Sequence, residues 1–316
     1  MMTSISYLPA SHIFHHKIIH NHQNTYMWKE KAAPFDELII SWNGERPLKG
    51  YYSISVSLYT TRWSPWLDYA FWSVTEQGTF SHQPLSACCK SFQDTIHVLE
   101  RNKATQFKIC VTAHEGASLK NFRTLYACTT SLSNYQFSKD YTPIPSIHLD
   151  VSGLSQMTLQ SERSKRMCSP TSTTSVINYL SASHIDPLNF ADCVIDDNFD
   201  IYGNWVLNIA QASHHLGENW CCYVARFTSF NQILESLQKG FPVIVSIQGP
   251  LSGSAQPYTE GHLIVVKGFD ADEQKVLCMD PAFNDNALTH VNYAVDEFLT
   301  AWKRRNGIAY LFHRSY

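Results

Sequence analysis

The sequence predicts an all-β, sandwich-like region followed by an α+β domain, and three observations carry that expectation. The chain has 316 residues, of which 44% are hydrophobic and 13% aromatic, enough for two domains with packed cores that need no disulfides or structural metal. Short runs in the first half alternate apolar and polar residues, the period-two pattern of strands with one buried and one wet face. The second half opens with helical periodicity and closes on strand-length apolar runs, which is the texture of helices followed by an antiparallel sheet.

In chain order, residues 1–33 read as an amino-terminal extension. Its histidines (His12, His15, His16, His20, His22) have no cysteine or carboxylate at ligand spacing, so no metal site is assigned and no cofactor is expected. Residues 34–142 are assigned to the sandwich-like region. Its clearest strand is Tyr52 to Leu58, where Tyr52, Ile54, Val56 and Leu58 alternate with Ser53, Ser55 and Ser57. Gln106 to Val111 repeats the pattern, with Phe107, Ile109 and Val111 on one side. Trp28, Trp42, Trp63, Trp66 and Trp72 all fall in this half; Trp63-Ser64-Pro65-Trp66 is a candidate stacking platform for protein or carbohydrate, although such tryptophans more often fill cores. Residues 143–153, with Pro143 and Pro145 and no period, form the linker.

The texture changes over residues 154–316. Ser169 and Pro170 open a helix running to Leu180. Trp205 to Leu216 carries an apolar stripe ended by Gly217, and Ser229 caps a third helix with Phe230, Ile233, Leu234 and Leu237 on one face. Strands are expected at Pro242 to Ile247, His262 to Phe269, Lys275 to Met279 and Ile308 to Phe312. Lys303-Arg304-Arg305 reads as a solvated helix end.

Composition narrows the partners. A net charge of -3 offers no basic field for nucleic acid, and no apolar run approaches the roughly 18 residues of a membrane-spanning helix. Met1 to Lys17 is broken by Pro9, His12, His15 and His16 and does not read as an export signal. Nine cysteines, an odd number that includes the adjacent pairs Cys88-Cys89 and Cys221-Cys222, read as reduced thiols. The expected location is therefore reducing, either cytoplasmic or reached by a specialised route other than general secretion.

One cysteine stands apart. Cys168 lies where a helix begins, and unpaired N–H groups with the positive end of the helix dipole favour a thiolate there. A hairpin centred on Ala271 sets His262 opposite Asp280, close enough for the carboxylate to fix the imidazole. An oxyanion needs a donor, and Gln156 and Gln160 both precede the cysteine; spacing leaves the two open. Trp205 is a candidate wall of the substrate cleft.

Ser155-Gln156-Met157, Cys168-Ser169-Pro170-Thr171-Ser172, Gly203-Asn204-Trp205, the run from Gly261 to Phe269 and Met279-Asp280-Pro281-Ala282 follow one another in an order that resembles C39-like cysteine peptidases. The resemblance covers roughly residues 150–314. It implies a papain-like fold with Cys168 as nucleophile, His262 as general base and acid, Asp280 as orienting residue and Gln156, rather than Gln160, as oxyanion donor. Some bacterial members carry an amino-terminal β-rich region with a start similar to Ser41-Trp42-Asn43. Members attached to bacteriocin exporters differ, having Asp-Cys-Gly at the nucleophile and an ATP-binding cassette, so cleavage after a double glycine does not transfer to this chain. The expected activity is hydrolysis of a peptide or protein substrate. The alternatives are another thiol acyl hydrolase or transferase, such as an amidase or a transglutaminase-like enzyme, and a binding protein built on a peptidase fold.

Overall fold

The computed structural model describes residues 10–19, 23–82, 88–99 and 102–315. The first half contributes β1 (Ser11–Lys17), β2 (Thr25–Phe35), β3 (Glu37–Gly44), β4 (Tyr51–Tyr59), β5 (Leu67–Ser73), β6 (Gln77–His82), β7 (Cys89–Gln93), β8 (Thr95–Val98), β9 (Ala104–His114) and β10 (Phe122–Thr130). They form one antiparallel sheet in the order β1-β10-β3-β8-β7-β6-β5-β4-β9-β2. The sheet folds back on itself at β6, whose first residues pair with β5 and whose last pair with β7. The Tyr69 hydroxyl on β5 therefore accepts the Ile40 N–H of β3 at 3.0 Å, and Trp42 meets Trp72 edge to face at 6.2 Å. Tyr52, Ile54, Val56 and Leu58 are buried between the layers.

The residues expected as an extension belong to this sheet, because β1 and β2 are its two edge strands. An edge strand needs few apolar residues, and the outer face of β2 is charged (Lys29, Lys31), which hides the period. Trp28 nonetheless packs inward against Phe107, and His16 stacks on Trp28 at 5.3 Å. His20 and His22 lie outside the described residues. Trp28, Trp42 and Trp72 are core, whereas Trp66 is exposed and Trp63 lies under the ammonium of Lys108.

The second half contains β11 (Ile147–His148), α1 (Cys168–Ser181), α2 (Pro187–Asp192), α3 (Trp205–Leu216), β12 (Trp220–Arg226), α4 (Asn231–Gln238), β13 (Val243–Ile247), β14 (His262–Asp270), β15 (Lys275–Met279), β16 (His290–Ala294), α5 (Val295–Lys303) and β17 (Ile308–Arg314). Its antiparallel sheet runs β12-β17-β13-β14-β15-β16, with β11 added on β14. The expected linker thus supplies a strand. Gly268 permits it, since a Cβ there would lie 2.3 Å from the Ile147 carbonyl oxygen. α1 and α3 share a core with Ile244, Leu263, Val265 and Tyr310 on one face of the sheet, and α4 and α5 pack with Val243, Val245, Ile264 and Val266 on the other. Small polar residues let α1 approach β14 closely: Ser172 is buried and donates to the Leu263 carbonyl at 3.0 Å.

The halves are joined along β12. An edge strand leaves every second backbone pair unsatisfied, and here β3 and β10 supply the partners. Asn43 brackets Cys222, donating to its carbonyl at 2.6 Å and accepting its N–H at 2.9 Å. Ser41 accepts the Val224 N–H at 3.0 Å, and the Cys128 sulfur accepts that of Arg226. Ser41-Trp42-Asn43 is legible physically in this light: the tryptophan fills the first core and its neighbours cover the second sheet's edge.

Candidate active site

Cys168 is the first residue of α1 and is half-buried. A short turn at Ser164–Arg166 delivers the chain to it, and no side chain caps the helix. The free N–H of Ser169 consequently faces the thiol, as does that of Leu263, and the His262 imidazole hydrogen-bonds it.

His262 opens β14 and lies opposite Ile247. Its Nε2 is 2.7 Å from Asp280 Oδ1, with both side chains buried. The pairing expected from a hairpin centred on Ala271 is not the observed register. Val265 lies opposite Met279, and a bulge between Val266 and Gly268 shifts the frame so that Asp270 lies opposite Lys275. Asp280 follows the end of β15 and reaches His262 diagonally, from the same side of the sheet.

Two tyrosines complete the carboxylate's surroundings. Tyr258 stacks on the imidazole with centroids 4.1 Å apart and planes 11° apart, and its hydroxyl donates to Asp280 Oδ2 at 2.6 Å. Tyr293 donates to the same oxygen at 2.7 Å, and the Ala282 N–H donates to Oδ1 at 3.0 Å. The two tyrosine hydroxyls and the Ala282 N–H all donate to Asp280, which favours its carboxylate form. Neither tyrosine was found from sequence, because one lies in the loop before β14 and the other on β16, with no period linking them to the histidine.

The electrostatics follow from these contacts. Burial raises Asp280, but the charge and hydrogen bond of His262 and the two tyrosine hydroxyls outweigh it and hold the carboxyl below its ordinary range. Burial lowers His262, yet Asp280 and Cys168 raise it to about 10. Desolvation pushes the Cys168 thiol up, while His262 and the N–H groups of Leu263 and Ser169 pull it below the ordinary thiol value. Both shifts act in the direction that favours a thiolate beside an imidazolium.

Alkylation provides a check. Burial pushes Cys89 up to about 12 and also raises Cys110, Cys128, Cys222 and Cys278. As pH falls, those thiolates are lost first and the Cys168 thiolate last. Iodoacetamide labelling followed by peptide mass spectrometry should therefore find Cys168 reacting at lower pH than these five; a common pH onset would contradict the assignment.

Gln156 is buried in a short turn (Gln156–Thr158), and its Nε2 donates to the Ser164 carbonyl at 3.0 Å, the oxygen that also accepts the Met167 N–H at 3.1 Å. Its amide thus lies against the turn that leads into Cys168. Gln160 is exposed. Trp205 opens α3, where Asn204 caps the helix by accepting the Leu207 N–H and Asp94 accepts the Trp205 N–H at 3.0 Å. The guanidinium groups of Arg226 and Arg305 lie over its half-buried ring, at 5.8 and 6.0 Å. The arrangement joins Cys168, His262 and Asp280, sets Gln156 beside their approach, and leaves Trp205 on the side facing the first half.

Among the described residues, no helix is long and apolar enough to cross a membrane. Comparison with known families finds one whose model, described as Peptidase_C39 like family, matches residues 148–310. No curated protein and no solved structure matches the chain.

Proposed function

The chain belongs to the Peptidase C39-like family, and from that premise we propose that it is a cysteine-dependent peptide hydrolase using Cys168, His262 and Asp280, with Gln156 as oxyanion donor. The observation that carries this reading is the single imidazole joined to a buried carboxylate at 2.7 Å and to a helix-start thiol. A papain-like reading of residues 154–316 is supported by the same layout, a cysteine-bearing helix laid on an antiparallel sheet whose strand ends carry the histidine and the aspartate. The two facing layers of the first half support the sandwich-like reading of that region.

In the proposed reaction the Cys168 thiolate forms a bond to the scissile carbonyl carbon, and the π electrons move to oxygen. The backbone N–H of Cys168 and one amide N–H of Gln156 donate to that oxyanion. The amide has two such hydrogens, and only one is engaged by Ser164. Collapse breaks the C–N bond as His262 gives its proton to the departing amine, leaving a thioester. His262 then takes a proton from water, the hydroxide adds to the thioester, and the C–S bond breaks to release the acid and regenerate the thiolate. Asp280 keeps the imidazole oriented and stabilises its charged form throughout. All nine cysteines are free, so a reducing location suits the nucleophile.

The test is to profile a peptide library, quench in acid and weigh the Cys168 peptide. An acyl adduct on Cys168, and a fall of about 10²- to 10³-fold in kcat for Gln156→Ala, are expected. Hydrolysis with neither outcome overturns the proposal.

A further inference from the structure

The basic run that ends α5 is a solvated end at two of its three residues only. Lys303 and Arg304 are exposed, but Arg305 turns back over the sheet, and its Nε donates to Ser246 Oγ at 3.2 Å. Ser246 lies opposite Leu263, whose N–H faces the Cys168 sulfur. A Cβ on Gly261, the residue before His262, would lie 3.5 Å from the Arg305 guanidinium carbon. Gly261 has φ +99, a conformation that excludes most side chains and keeps this approach open. The Trp205 ring, 6.0 Å away, forms another wall. The guanidinium therefore sits beside Ser246, which lies opposite Leu263, and beside Gly261, which precedes His262.

Its charge is unmatched. Among the described residues Arg305 has no carboxylate within ion-pair distance, in contrast to Arg226, which is paired with Glu37. Among the described residues its two terminal nitrogens have no acceptor, and they are not sealed from solvent. Burial lowers Arg305; Asp94 opposes that from beyond hydrogen-bond reach, while Arg226 adds to it. A half-buried guanidinium with its fork free is preorganised for one planar anion with two oxygens.

We propose that Arg305 determines specificity by receiving a carboxylate of the bound peptide next to the scissile bond, so that acidic peptides are the preferred substrates. This rests on the hydrolase reading. The carboxylate has two sources, an Asp or Glu side chain or the peptide's own C-terminus. Both present the same two oxygens to the fork.

Paired fluorogenic peptides separate them: Glu against Gln at positions flanking the scissile bond, and free acid against C-terminal amide. For one pair the acid should exceed the amide about 10- to 100-fold in kcat/KM, the scale of a hydrogen bond to a charged group. Arg305→Gln should bring that ratio close to one, and Arg305→Lys should leave it intermediate. The pair that responds identifies the source. A native ratio near one for both pairs, or a ratio unchanged in Arg305→Gln, overturns the inference. If no peptide is cleaved the hydrolase reading fails, and the charge reading is still tested by the labelling rates of Cys168 with iodoacetate and iodoacetamide. That ratio should fall several-fold in Arg305→Gln, the attraction of His262 being common to both proteins; an unchanged ratio sinks the proposal.

Discussion

Cys168→Ala is expected to lower kcat on any cleaved peptide on the order of 10⁶-fold, the scale on which removal of a nucleophile operates. Nothing else in the site can replace it. The remaining thiols near the fold's centre, such as Cys222 and Cys278, are buried, and burial raises them. The residual rate should reflect only binding and oxyanion donors, roughly 10³- to 10⁴-fold over water. Cys168→Ser should be nearly as inactive, because surroundings that tip a thiol toward its anion do not ionise a hydroxyl. The fold should survive both changes: the side chain is only half-buried, and alanine is tolerated in the first turn of a helix. Steady-state rates alongside far-UV circular dichroism and thermal midpoints check this. A folded Cys168→Ala protein that hydrolyses peptide at the native rate would show the chemistry to lie elsewhere.

What the sequence disclosed and what it hid divide along physical lines. Local signals carried far: Pro170 marked the helix that starts at Cys168, and the stripe ended by Gly217 marked α3 with its observed bounds. The meeting of His262 with Asp280 was anticipated through a register that does not occur, since a bulge is one extra residue and leaves no periodic trace. Tyr258 and Tyr293 were invisible because they converge on Asp280 only after β14, β15 and β16 have paired. Edge strands β1 and β2 were hidden by their polar outer faces. Arg305 was misread for a related reason, as a run of three cations says nothing about which one the following strand turns inward. Gln156 was separated from Gln160 through resemblance rather than geometry, and its contact with the Ser164 carbonyl gives it a place beside the turn that leads into Cys168.

The pair of Glu37 and Arg226 is expected to give the largest stability effect of any single substitution away from the site. Glu37 is 1% exposed and Arg226 6%, and the contact is bidentate, with Nη2 to Oε2 at 2.7 Å. One residue belongs to β3 and the other to β12, so the pair joins the two sheets. Removing one partner abandons the other's charge in the interior, which costs about 3 to 5 kcal/mol against a total of roughly 5 to 15 for a typical domain. Glu37→Leu should therefore shift the urea midpoint strongly downward. Glu37→Leu with Arg226→Leu should recover part of the loss, because no buried charge remains. Recovery should stay incomplete, since Arg226 also donates to the carbonyls of Arg305 at 3.0 Å and Asn306 at 3.2 Å, and these acceptors would lose their donor. The two variants thus separate charge from hydrogen bonding: a double variant as unstable as the sum of its singles would mean that the pair contributes nothing as a pair. The same carbonyl contacts fix the backbone from which the Arg305 side chain departs, so the joint between the sheets also positions the group proposed to meet the substrate.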